Sequence, residues 1–102
     1  SKALRFIVAN AHRLVTVNEI AKASGLSRRA LETRFRSQMG TSAQKYHRGA
    51  RADYVAKMLG ETQLSLEEVA EQCGFAQGPD LTRLFKSIKG ETPSAYRKRV
   101  FG

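Results

Sequence analysis

Residues 16–26, TVNEIAKASGL, and residues 65–75, SLEEVAEQCGF, carry one pattern twice, at an offset of 49. Thr16 pairs with Ser65, Glu19 with Glu68, Ile20 with Val69, Ala21 with Ala70, Gly25 with Gly74 and Leu26 with Phe75. Past the glycine the offset grows to 50, so the second copy holds one more loop residue. The match then resumes: Leu31 with Leu81, Phe35 with Phe85, Gly40 with Gly90, Tyr46 with Tyr96. Two copies are too few for a stacked solenoid. The repeat therefore restricts the chain to two similar modules and a connector.

Each copy holds the parts of two short helices and a tight turn. Thr16-x-x-Glu19 and Ser65-x-x-Glu68 are capping boxes, in which hydroxyl and carboxylate each satisfy a free amide at a helix start. Ile20 and Val69 open a buried stripe, and Ala21 and Ala70 are small where helices must approach closely. Gly25 and Gly74 follow four residues later, where the first helix ends and a left-handed residue is needed. This is the grammar of a helix-turn-helix.

The periodicity predicts an all-α fold of seven helices, at about 2–12, 17–24, 28–39, 42–59, 66–73, 79–89 and 93–99, with no strand. Leu4, Ile7, Val8 and Ala11 should form the apolar face of the first. The seam of the fourth should be Tyr46, Ala50, Tyr54, Met58 and Leu59, with Gly49 a cost in its middle and Gly60 its end. The domain reading is a first module at 1–41, a linker helix at 42–60 and a second module at 61–102.

Eighteen Lys and Arg against nine Asp and Glu give a net charge of +9 in 102 residues. Such an excess points to a polyanionic partner. No apolar run approaches the ~20 residues of a membrane span, and no membrane partner is expected. The start, SKALRFIVANAHR, lacks a signal-peptide core. It opens within an amphipathic pattern and without Met, so a longer protein is expected to contain it. The lone cysteine, Cys73, cannot form an internal disulfide and reads as a small buried hydrophobe. The expected location is the bacterial cytoplasm, at the nucleoid.

The third and sixth helices present corresponding outer faces. With Leu31, Phe35 and Met39 buried, Arg29, Thr33 and Arg36 point outward and Glu32 lies on the flank. With Leu81, Phe85 and Ile88 buried, Pro79, Arg83 and Lys86 point outward and Thr82 flanks. These are the faces that a recognition helix turns to the major groove. Arg29 and Arg83, early on their helices, suit bidentate contacts to guanine; Thr33 and Thr82 offer hydroxyls; Glu32 can accept from a cytosine amine. Arg36 and Lys86 suit phosphates, which position a protein without specifying sequence. The helix starts at Ser27 and Thr92 offer free amides to phosphate. Arg28, Lys45, Arg48, Lys89 and Arg97 complete the candidate phosphate set.

The stretches GLSRRALETRFRSQMGTS (25–42), SLEEVAEQCGF (65–75) and LTRLFKSIKGETPSAYR (81–97), with Arg51, Ala56 and Leu59 between them, resemble the DNA-binding domain of the AraC/XylS family of bacterial transcription regulators. SRRALETRF (27–35) is also similar to the xylose-operon regulators within that family. The resemblance implies two helix-turn-helix modules on successive major-groove faces of double-stranded DNA. Its base-contacting positions fall on Arg29, Glu32 and Thr33, then on Gly78, Pro79, Thr82 and Arg83. Gly78 and Pro79 depart from the polar residues common there and donate no side-chain hydrogen bond. The second module is thus expected to lean on Arg83, Thr82, phosphates and DNA shape. Family members usually carry a separate effector-sensing domain, absent from this chain, and many activate by touching RNA polymerase, a candidate partner.

Enzymatic function is not expected. His12 and His47 are the only histidines. They fall on different helices, with no catalytic or metal spacing around either, and no cofactor or metal is implied. His12 should close the first helix, and His47 should be a surface or linker-helix residue. A membrane or heparin binder would need one basic amphipathic face, whereas here the charge divides between two homologous helices. An architectural DNA binder remains the closest rival, and it requires equal affinity for every duplex.

Overall fold

The computed structural model describes residues 1–101, and these form seven helices and no strand. They are α1 (Lys2–Ala9), α2 (Val17–Ser24), α3 (Arg28–Met39), α4 (Ala43–Glu61), α5 (Leu66–Gln72), α6 (Gly78–Lys89) and α7 (Pro93–Phe101). Both capping boxes are present: Thr16 and Ser65 accept from the amides of Glu19 and Glu68, whose carboxylates accept from the cap amides in return. Gly25 and Gly74 adopt φ of 71° and 75°, in the left-handed region that side chains with a Cβ avoid.

Two separate apolar cores follow from the repeat. Ala3, Ile7, Ile20, Ala21, Leu31, Phe35 and Ala43 close the first, with Tyr46 edge-on to Phe35 at 5.7 Å. Val55, Leu59, Val69, Ala70, Cys73, Leu81 and Phe85 close the second, with Tyr96 edge-on to Phe85 at 5.4 Å. The paired tyrosines of the repeat thus do the same job in each half. Cys73 is buried, as its apolar position predicts. Helix α4 belongs to both cores and sets the modules end to end in a body of 44 × 23 × 21 Å.

Several boundaries and faces differ from the sequence expectation. Helix α1 stops at Ala9 rather than near residue 12, because the Asn10 side chain bonds back to the Phe6 carbonyl (2.8 Å) and turns the chain out. His12 therefore lies in a turn. Gly60 does not end α4; the helix runs to Glu61, where the Thr62 hydroxyl donates to the Met58 carbonyl at 2.6 Å. Gly49 leaves α4 unbroken. Tyr46, Ala50, Tyr54 and Met58 are only half-buried, and the deep seam of α4 is Ala43, His47, Arg51, Ala52, Val55 and Leu59. Val8, Met39 and Ile88, expected in the core, are 59%, 38% and 37% exposed, and Leu84 is buried instead. The misplaced residues sit near helix ends, where the helices have run past the packed centre of their module.

Candidate nucleic-acid interface

The recognition faces are built from their caps inward. Ser27 caps α3 by accepting from the Ala30 amide (3.1 Å), and Leu26 closes the preceding turn through its amide to the Ala21 carbonyl (3.0 Å). Leu31 and Phe35 anchor the inner face of α3. That leaves Arg29, Glu32, Thr33 and Arg36 together on its exposed side, where the last three border a shallow cleft. In the second module Leu81, Leu84 and Phe85 anchor α6. Arg83 and Lys86 are exposed with Pro79, while Thr82 and Gly78 are half-buried. Gln77 precedes α6 without a side-chain cap, so Pro79 in the first turn supplies the preset backbone instead.

Two of the candidate readers already hold ionic partners. Arg28 Nε lies 3.2 Å from Glu32 Oε1, and Arg83 pairs with Asp80 one turn earlier. Sequence reading overlooked Asp80, although an Asp three residues before an Arg on a helix is a legible pair signal. Both pairs are exposed, and such pairs contribute only about 0–1 kcal/mol. A phosphate or guanine can replace either carboxylate at little cost.

The phosphate candidates divide by geometry. Arg36, Arg48 and Lys86 are exposed and hold no carboxylate among the described residues. Thr92 caps α7, accepting from the Ala95 amide at 3.1 Å. Lys89 is tied to Asp53 of α4. Lys45 lines a groove on the opposite side of α4 from Gln44 and Arg51. Arg97 is the clear correction. Its guanidinium donates to the carbonyls of Leu59 (3.1 Å), Thr62 (3.3 Å) and Leu64. These are the orphan carbonyls at the end of α4 and in the following loop, so Arg97 fastens α7 to the linker instead of facing a phosphate.

Sequence reasoning also missed what fixes one module against the other. The inner side of α4 carries two polar clamps. His47 lies on the linker helix, one of its two expected places, but is buried rather than at the surface, and its Nε2–H donates to the Asn10 carbonyl of the first module (3.2 Å). Arg51, one turn on, is buried too; it donates to the Cys73 carbonyl at the end of α5 (3.0 Å) and lies over the Phe75 ring at 4.0 Å. A cation suits the negative end of a helix and the face of an aromatic ring. The modules touch directly as well: a Cβ on Gly74 would lie 2.9 Å from the Cα of Arg13. None of these long-range contacts has a periodic signature.

Burial pushes the His47 imidazole below its ordinary pKa, the nearby Arg51 charge adds to this, and the Asn10 carbonyl opposes it. The folded protein therefore binds a proton at His47 less readily than the unfolded chain does. Stability should fall as pH drops below about 6.5, the ordinary histidine value. The loss should level off once the pH is below the folded pKa. Urea unfolding between pH 7.5 and 5 should show this slope, and His47→Gln should remove it; an unchanged slope would place the titrating group elsewhere.

A family model described as a helix-turn-helix domain matches residues 20–99. A solved transcriptional regulator from Chromobacterium violaceum, described as having an AraC-type DNA-binding domain, superimposes with a TM-score of 0.88 at 28% identity, covering 97% of this chain and 88% of that one. The chain belongs to the AraC-type helix-turn-helix family. The DNA-binding domain of AdpA, a global transcriptional factor crystallised with a target DNA, has a similar fold: TM-score 0.86, 28% identity, 95% of this chain and 87% of that one. The transcriptional activator NphR of a Rhodococcus species is 35% identical over 95 residues, which are 92% of this chain and 28% of the activator. The chain spans only 24–37% of the length of the first curated relatives it matches.

Proposed function

We propose that this AraC-type domain reads double-stranded DNA with α3 and α6 in successive major grooves, as part of a bacterial transcription regulator. The observation that carries the reading is the duplication of an outward basic face on two helices joined by one continuous linker helix. The 44 Å body is long enough to reach two groove faces one helical turn, about 34–36 Å, apart. The units are residues 1–41 and 61–102 about the linker 42–60. Arg29, Glu32 and Thr33 form the fuller base-reading set, and Arg83 with Thr82 the thinner one. Ser27, Arg28, Arg36, Arg48, Lys86, Lys89 and Thr92 hold phosphates; Arg28 exchanges its Glu32 partner for one, whereas the three N–H donors of Lys89 let it reach a phosphate while keeping Asp53. Such a regulator works in the cytoplasm at the nucleoid, catalyses no reaction itself, and has RNA polymerase and an effector-sensing domain elsewhere in a longer protein as further partners.

Lys86 tests the division of labour. Lys86→Ala should weaken every duplex by a similar factor and reduce the slope of log affinity against log salt by about one. Fluorescence anisotropy with cognate and random duplexes across salt concentrations measures both. A loss confined to one base pair of the site would contradict a phosphate role.

A further inference from the structure

A second surface lies on the side of α4 away from the proposed DNA face. Tyr46, Gly49, Ala50, Asp53, Tyr54 and Lys57 floor a groove of about 590 Å³, which Val8 and Ala11 of the α1 region wall on one side and Ile88 of α6 on the other. At 100° per residue Ile88 points away from both Arg83 and Lys86. On α4 the groove residues lie roughly opposite Gln44, His47 and Arg51, which line the cleft beside the start of α6. The groove and the reading faces are thus separate surfaces.

The groove has the dimensions and chemistry of a helix seat. Its floor runs from Lys45 to Lys57, about 18 Å or three helical turns along α4. Most of its lining is apolar, and Val8 (59%) and Ile88 (37%) stand exposed along it. Lys45 and Lys57 mark its two ends, and neither pairs with a carboxylate among the described residues. The one acid in the floor, Asp53, is neutralised by Lys89. An apolar trough with a free cation at each end suits an amphipathic helix with carboxylates at both ends of its apolar stripe. We propose that this groove docks such an acidic amphipathic helix, presented by another protein, while the opposite face holds DNA. Because its walls come from both modules, an occupant would also brace one module against the other.

Gly49 makes the proposal testable. A Cβ placed on it meets nothing within 4 Å, so a longer side chain there projects into open groove. Gln is also a better helix former than Gly, so Gly49→Gln should fold at least as well. The probe is a synthetic peptide about 14 residues long, a typical helix length, with Leu at i, i+3, i+4 and i+7 and Glu at both ends. Added to the isotopically labelled domain, it should shift the amide resonances of Val8, Gly49, Ala50 and Ile88, with or without a bound duplex. Gly49→Gln should weaken the peptide and leave duplex affinity unchanged, and Lys57→Glu should cost about tenfold through like-charge contact. Shifts confined to α3 and α6 and lost on adding duplex would mean that the peptide only mimics DNA, and would overturn the proposal. So would the absence of shifts at millimolar peptide. Groove shifts that depend on protein concentration alone would assign the surface to a second copy of the chain and overturn it equally.

Discussion

Arg29→Ala is expected to weaken binding to a cognate duplex by about 1–3 kcal/mol and to relax preference at one base pair, while random duplexes lose much less. The expectation rests on placement. Arg29 is the second residue of α3, exposed, on the side opposite Leu31 and Phe35, and it holds no carboxylate among the described residues. Its neighbour Arg28 has the Glu32 carboxylate at 3.2 Å and should behave differently: Arg28→Ala also frees Glu32, an acid then facing phosphates. Competition binding against single-base variants of the site distinguishes the two. Equal losses on cognate and random DNA after Arg29→Ala would show that the residue touches phosphate only.

The second large effect comes from comparing the paired glycines of the repeat. Gly25→Ala and Gly74→Ala both place a Cβ at positive φ, which costs about 1–2 kcal/mol. At Gly25 nothing lies within 4 Å of that Cβ, so the cost should end there. At Gly74 the Cβ would stand 2.9 Å from the Arg13 Cα and 3.2 Å from the His12 carbonyl oxygen, both backbone atoms that cannot swing aside. Overpacking of this kind adds about 1–3 kcal/mol. Urea unfolding should therefore show a total loss of about 2–5 kcal/mol for Gly74→Ala, well above that for Gly25→Ala. Equal losses would mean that the turn after α1 does not press on the second module in solution.

That comparison also marks what was legible in the sequence. Whatever repeats locally could be read: the two capping boxes, the left-handed glycines, the paired Phe and Tyr of each core, and the outward faces of α3 and α6. Each rests on contacts within a few residues or on a regular period. The contacts that fasten the modules and their last helix to the linker are of another kind. His47, Arg51 and Arg97 are polar residues that donate to backbone carbonyls 37, 22 and up to 38 residues away. From sequence alone such residues look like surface or phosphate-binding cations, because a backbone carbonyl leaves no mark on residue identity. The periodic rule failed differently at Val8, Met39 and Ile88. It located the inner side of each helix but not how far along the helix the core extends. For Val8 and Ile88 that shortfall is what leaves the groove along α4 uncovered.

Specific DNA reading by this domain requires above all that both modules engage one duplex together. In-vitro selection of the domain from a pool of random duplexes tests this directly. It should enrich a two-part motif with its halves about 10 base pairs apart, the spacing of one helical turn, and with the sharper preferences in the half read by α3. Enrichment of a single short half-site, or no enrichment over the starting pool, would contradict it.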